Sequence, residues 1–470
     1  MQAALLAGLF AVGYLIVGAS EVDYLLNTLL LLTAISVAGL WLSNQTAHRL
    51  GDRKLKVLGS FWLIKVFATL LLLYLGWMPQ LDPSASSSWG YDPQRYYQYS
   101  WDLVQQGWNP VGLEQNYQGI MYYYGAVFAV LGRNPVIPAL INAFVTLLGT
   151  LFLIRCAYQF MPNRTPADWR IAYLLLIPEV LWYDVMTSRE TLMAILIIVA
   201  TLAAGRYLVG AGRSSLKTTV ILVAGSLAAI LAVRTTMVLP VLVAIVAMSM
   251  LLRSRRAMGP FVKFALIALG VAGLMAGPMV QQITGGYDID YLATFDQIQG
   301  GQGIRAEDEW ESQSIGLLLM PSGALQSIAF TPPRMILYMA APLPRIEVSL
   351  VDLLSGSWSE WQRLMTLLTS LMMLLAFPYV LAGTALAWRL RRTYAALPII
   401  PIAFWANFIS IAGGNSIIHE RYRLMATLLL FACAWIGYTR CPPKMVRRWA
   451  VPWFGLLGAG AIFYFVYKLL

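Results

Sequence analysis

The chain has 470 residues, 59% of them hydrophobic and only 12% charged, with a mean hydropathy of +0.66. Soluble domains carry roughly 25% charged residues, so the soluble globular class is excluded. The net charge of +11 does not point to nucleic acid, because lysines and arginines are confined to short stretches between apolar runs, where anionic headgroups are their natural neighbours. The expectation is an all-α polytopic membrane protein, a single integral membrane domain over 1–470.

Apolar runs recur at 4–19, 25–43, 58–77, 136–158, 171–184, 190–209, 218–233, 236–252, 264–281, 364–387, 395–412, 421–438 and 451–468. Most approach the roughly 20 residues a crossing helix needs. The first lacks a positive segment before it and reads as a helix rather than a cleavable signal. Thirteen crossings that start inside put six basic loops, at 44–57, 159–170, 206–217, 253–263, 388–394 and 439–450, on one face. Lys and Arg near span ends resist translocation, so that face is cytoplasmic. Two long loops then lie outside together, 78–135 with its juxtamembrane helices and 282–362, and most of the acidic residues sit in them. The apolar stretch 119–132 is too short to cross and reads as re-entrant or interfacial, and the proline-bounded stretch 332–344 reads as lying along the outer surface. Runs 171–184 and 218–233 are short for spans and imply a cavity cut into the outer half of the bilayer. Cys156, Cys433 and Cys441 sit in spans or at their cytoplasmic ends, which argues against a disulfide framework.

Three clusters on the outer face carry chemistry-bearing side chains. In the first long loop Asp92 precedes Pro93 and starts a turn or caps a helix, whose spacing would put Arg95, Tyr99 and Asp102 on one face. Asp92 is either a plain cap or a cap that also offers its second oxygen to a ligand. The second cluster is the turn holding Glu179, Asp184, Arg189 and Glu190, with Arg234 at the end of a nearby run. Ionisable groups at that depth need a partner or a wet cavity, and the plain alternative is an Arg189–Glu190 ion pair. The third opens the run at 421–438 with His419, Glu420, Arg421, Tyr422 and Arg423. Two arginines at a helix N-terminus, with its backbone amides, would form a diphosphate clamp. His419 is a hydrogen-bonding partner or a proton carrier. The chain contains no Walker A loop, HExxH, GxSxG or zinc-spaced CxxC pattern.

The layout of an acidic first outward loop followed by a cascade of spans resembles the GT-C superfamily of membrane glycosyltransferases, which use lipid-linked sugar donors. Local echoes are Tyr91-Asp92, Arg95-Tyr96, the stretch from Gly119 through Tyr124 to Gly132, Pro178 followed by Ser188-Arg189-Glu190, Arg234 and Glu420-Arg421-Tyr422-Arg423. The same features are similar to the Wzy and EpsG polysaccharide polymerases. Two runs precede the acidic loop where GT-C enzymes usually have one, and Asp92 lacks an adjacent carboxylate.

The resemblance implies an inverting transfer from a polyprenyl-(di)phosphate-linked sugar donor to a saccharide, lipid or protein acceptor. It would take place at the outer face of a bacterial inner membrane, for envelope or exported glycoconjugate assembly. It implies a base among Asp92, Asp184 and Glu190, and Mg²⁺ or Mn²⁺ held by Asp92 and Asp184. It also implies charge compensation or donor contacts from Arg95, Arg189, Arg234, His419, Arg421, Tyr422 and Arg423. A lipid-linked saccharide transporter or flippase is the reading from another class, although such carriers usually place their charges in midplane repeats.

Overall fold

The computed structural model describes residues 25–51, 53–77, 92–109, 118–161, 168–211, 215–234, 237–252, 324–340, 348–414 and 420–469, with Gly8 and Ala11. The expected first span at 4–19, the run at 264–281, His419 and much of both long loops lie outside the described residues. Among the described residues the chain is helical throughout, without strands. Seven helices are long and apolar enough to cross a membrane, and they indicate a multi-pass membrane protein.

In chain order these are α1 (Leu25–Arg49), α2 (Val57–Leu72, continued by a wider turn to Trp77), α5 (Val136–Phe160), α7 (Glu190–Val209), α8 (Leu216–Val233), α12 (Trp358–Leu390) and α14 (Glu420–Arg440). Between them stand α3 (Asp92–Gln105), α4 (Gln118–Leu131), α6 (Pro178–Val185), α9 (Val238–Leu251), α10 (Ala324–Ala340), α11 (Leu350–Leu354) and α13 (Ile399–Gly414), and α15 (Pro443–Leu469) follows them.

Local chemistry explains several boundaries. His48 and Arg49 close the last turn of α1, where cations meet the negative end of the helix dipole. α7 stops at Gly210, whose φ of 67° is the left-handed conformation that glycine adopts without strain. Ser215 starts α8 by accepting from the Thr218 amide at 3.1 Å.

The run at 171–184 is not one helix. A 3-10 segment over Trp169–Leu176 ends at extended Ile177, which Pro178 holds out of the helical region, and α6 begins there. α4 has 14 residues, about 21 Å of helix, which matches the short element expected at 119–132. In α10 both Pro332 and Pro333 lie inside the helix rather than bounding it, where each forgoes its own N–H bond and its ring crowds the carbonyl four residues back.

α14 and α7 are the most buried of the seven, at 83% and 78%, whereas α1 and α8 at 33% lie at the edge. The α12–α14 crossing depends on missing side chains. A Cβ on Gly437 would sit 1.9 Å from the Tyr379 carbonyl oxygen, and one on Gly383 would sit 2.8 Å from that of Cys433. Between apolar helices such backbone proximity supplies the packing that lipid cannot. The two ends of the bundle gather different side chains. One gathers Arg49, Arg155, Arg206 and Arg440 from the C-terminal parts of α1, α5, α7 and α14. The other gathers the N-termini of α3, α7 and α14 and the C-terminus of α8 through the contacts that follow.

Candidate functional site

Helix α3 opens on Asp92 followed by Pro93, whose missing N–H costs nothing in a first turn. Tyr96, Ser100 and Leu103 form its buried face, while Arg95, Tyr99 and Asp102 share the half-buried one, as their spacing predicts. Asp102 accepts from Gln98 Nε2 at 2.7 Å, and its carboxyl lies above the ordinary range because burial disfavours its charge more than Gln98 and Arg133 restore it.

Asp92 faces two guanidiniums from distant parts of the chain. Arg421 Nη1 from α14 donates to its Oδ2 at 3.3 Å, and Arg189 Nη2 lies 4.0 Å from the same oxygen. Arg189, immediately before α7, also stands 3.9 Å from Glu190 Oε1 and 5.8 Å from the centre of the Tyr96 ring. On the other side of Arg421 lies Tyr422, whose hydroxyl accepts from Arg421 Nη2 at 3.5 Å and from Arg234 Nη2 at 3.1 Å. The two guanidinium carbons stand 5.2 and 4.8 Å from that ring's centre. Arg234 is the C-terminal cap of α8, and a close approach brings that end inward: a Cβ on Gly119 of α4 would lie 1.9 Å from the Ala232 carbonyl oxygen. Five candidates therefore meet as a continuous group: Asp92, Arg189, Arg234, Arg421 and Tyr422, with Glu190 attached through Arg189. Arg421 and Asp92 keep 30% and 24% side-chain exposure, so the group is open at its mouth.

Three other expectations come out differently. Arg423 does not join Arg421. It is fully buried, its Nε 2.9 Å from Glu179 Oε2, with Nη1 donating to the Tyr338 carbonyl and Ser370 hydroxyl and Nη2 to the Thr366 carbonyl. Residues two apart on a helix differ in direction by about 200°, so both arginines cannot face one ligand from regular helix. Glu179 is consumed by the same pair. Asp184 does not reach Asp92 either: its Oδ2 is ion-paired with Lys65 of α2 and its Oδ1 accepts from Thr146 at 2.6 Å, with both charged side chains fully buried.

The segment from Asp184 to Glu190 is held carbonyl by carbonyl. Asn142 Nδ2 donates to the Met186 carbonyl at 2.8 Å and to that of Asp184 at 3.3 Å, and the Tyr124 hydroxyl donates to that of Ser188 at 2.7 Å. Asn142 Oδ1 lies 3.1 Å from the same hydroxyl, as an alternative acceptor for its one proton. Lys65, Tyr124, Asn142 and Thr146 thus fix the turn that delivers Arg189 and Glu190; of these the sequence points only to Tyr124, as part of the stretch from Gly119 to Gly132. A lone lysine inside the apolar run at 58–77 was the available signal, since a charge there requires a partner.

A divalent ion held by Asp92 and Asp184 does not fit these residues. The Asp184 oxygens are committed to Lys65 and Thr146, and Asp92 is lined by guanidiniums, whose charge repels a cation. Among the described residues no group of three or more His, Cys, Asp or Glu side chains converges on a metal position. In comparisons with known proteins, no family model, curated protein or solved structure matches the chain.

Proposed function

We propose that the chain is an inverting glycosyltransferase of the outer membrane face that takes sugar from a polyprenyl-(di)phosphate-linked donor, in the manner of GT-C enzymes. The observation that carries this reading is the joining of Asp92 to Arg421, Arg189 and, through Tyr422, Arg234. A sugar leaving a phosphate needs a carboxylate for the acceptor's proton and fixed cations for the departing oxygens. Asp92 and Glu190 supply carboxylates, and the three arginines supply the cations.

In the displacement the acceptor oxygen would bond to the anomeric carbon as the carbon–phosphate oxygen bond breaks. The electron pair departs with the phosphate, towards Arg234 and Arg421. The acceptor's proton passes to Asp92, with Glu190 the next carboxylate in reach. Transfer to a growing chain, as in Wzy-type polymerases, uses the same step.

Mass spectrometry of lipid-linked saccharides in a deletion strain tests the reading. Accumulation of a polyprenyl-linked intermediate, reversed by the wild-type gene but not by an Asp92→Asn copy, is the expected result. Unchanged pools with altered sidedness of the lipid-linked saccharide would overturn it in favour of a carrier.

A further inference from the structure

We propose that Arg234, Tyr422 and Arg421 form a preassembled cradle that binds a phosphate-bearing ligand without a divalent metal, with Tyr422 holding the two like charges together. The inference deepens the phosphate reading above and rests on it. Two guanidiniums brought to one site repel each other, and a site built only of them would open when empty. Here both lie against one aromatic ring, at 4.8 and 5.2 Å from its centre, and both donate to its hydroxyl, at 3.1 and 3.5 Å. The ring presents its negative π-face to the cations, and the phenol oxygen gives them a shared acceptor. Their positions are therefore set before a ligand arrives.

A second observation points to an absent anion. Nη1 of Arg234 is buried and makes no hydrogen bond among the described residues. A buried donor left unmade is costly, so a phosphate oxygen in that place would relieve it. The same arrangement argues against a bridging metal. Magnesium takes hard oxygen ligands, whereas Asp92 is faced by Arg421 and Arg189, and Glu190 by Arg189. The arginines occupy the role that a divalent ion would otherwise take.

The test is calorimetric titration of inorganic pyrophosphate into the purified full-length protein in phosphatidylcholine nanodiscs with EDTA present. Binding without metal is expected, and excess Mg²⁺ should weaken it by sequestering the probe. Tyr422→Phe keeps the ring and should lose only a few-fold in affinity, whereas Tyr422→Leu loses ring and hydroxyl and should lose about tenfold or more. Should Tyr422→Leu fail to fold, Arg234→Gln, at the end of a peripheral helix, should lose a similar amount.

Binding that appears only with Mg²⁺, no binding under either condition, or wild-type affinity in the folded variants would overturn the cradle. Equal affinity in phosphatidylglycerol nanodiscs is expected. Weaker binding there would mean that an ordinary headgroup fills the site, which overturns its assignment to an incoming ligand. If binding fails while deletion still alters the lipid-linked pools, only the cradle falls. If binding holds while those pools are unchanged, only the transferase reading falls.

Discussion

Nη1 of Arg421 stands 3.3 Å from Oδ2 of Asp92, joining two helix N-termini 329 residues apart in the chain. Under the proposed function Asp92 has two separable tasks, holding a guanidinium and accepting a proton. Asp92→Asn keeps a good helix cap and an oxygen for Arg421 but removes the basic carboxylate. The expected outcome is turnover reduced by about 10² or more, with thermal stability nearly unchanged. A variant that keeps its kcat and loses only apparent affinity for the donor would assign Asp92 to the arginines and move the base to Glu190.

Arg423 and Glu179 make the opposite forecast. Both are fully buried, and Arg423 also holds the Tyr338 and Thr366 carbonyls and the Ser370 hydroxyl. Breaking a buried pair by removing one partner costs about 3–5 kcal/mol, so Arg423→Met should lower the unfolding temperature markedly in detergent. The pyrophosphate affinity of the protein that remains folded should not change. A weakened affinity in a thermally normal Arg423→Met protein would return this residue to the ligand site.

Lys65→Met alone strands the Asp184 carboxylate and should cost a comparable 3–5 kcal/mol or so. The double variant Lys65→Met with Asp184→Leu removes both charges and should recover most of that loss in a thermal unfolding assay. A double variant no more stable than the single one would show that Thr146 and the turn carbonyls depend on the carboxylate itself.

Sidedness has its own test. Cysteines placed at Ser87 and Ser312 should react with a membrane-impermeant thiol reagent in intact cells, and one at Ser254 should not. The three native cysteines are buried and leave the background low. Labelling at Ser254 but not at Ser87 would invert the layout and take the Asp92 site to the cytoplasm.

Hydropathy made the long spans legible, because a crossing helix announces itself by length and composition. The helix break at Ile177 was not read, although Pro178 was its signal, because the averaged apolar character of 171–184 hid it. For the site, the pieces at Asp92, Arg189, Arg234 and Arg421 could be named from charges standing at the ends of apolar runs. Their pairing could not, because nothing local links Asp92 to a residue 329 positions away. Arg423 lies apart from Arg421 for a reason visible in helical geometry, since a neighbour two positions on faces away. Asn142 gives no warning at all, and Tyr124 none of its role: a neutral amide and a phenol inside apolar helices look like ordinary bundle residues until the carbonyls they hold are seen.

The position of Arg234 has a consequence for how encounters are counted. It caps α8, a helix only one-third buried, with Val220 and Ile221 exposed on its surface. A ligand carried on a hydrocarbon chain can lie along such a helix and present its phosphate where the helix ends. Its search is then a diffusion in two dimensions, and the concentration that matters is a mole fraction among lipids, not a molarity in water. Saturation should follow the ratio of ligand to bilayer lipid, and diluting the membranes in buffer should leave occupancy unchanged.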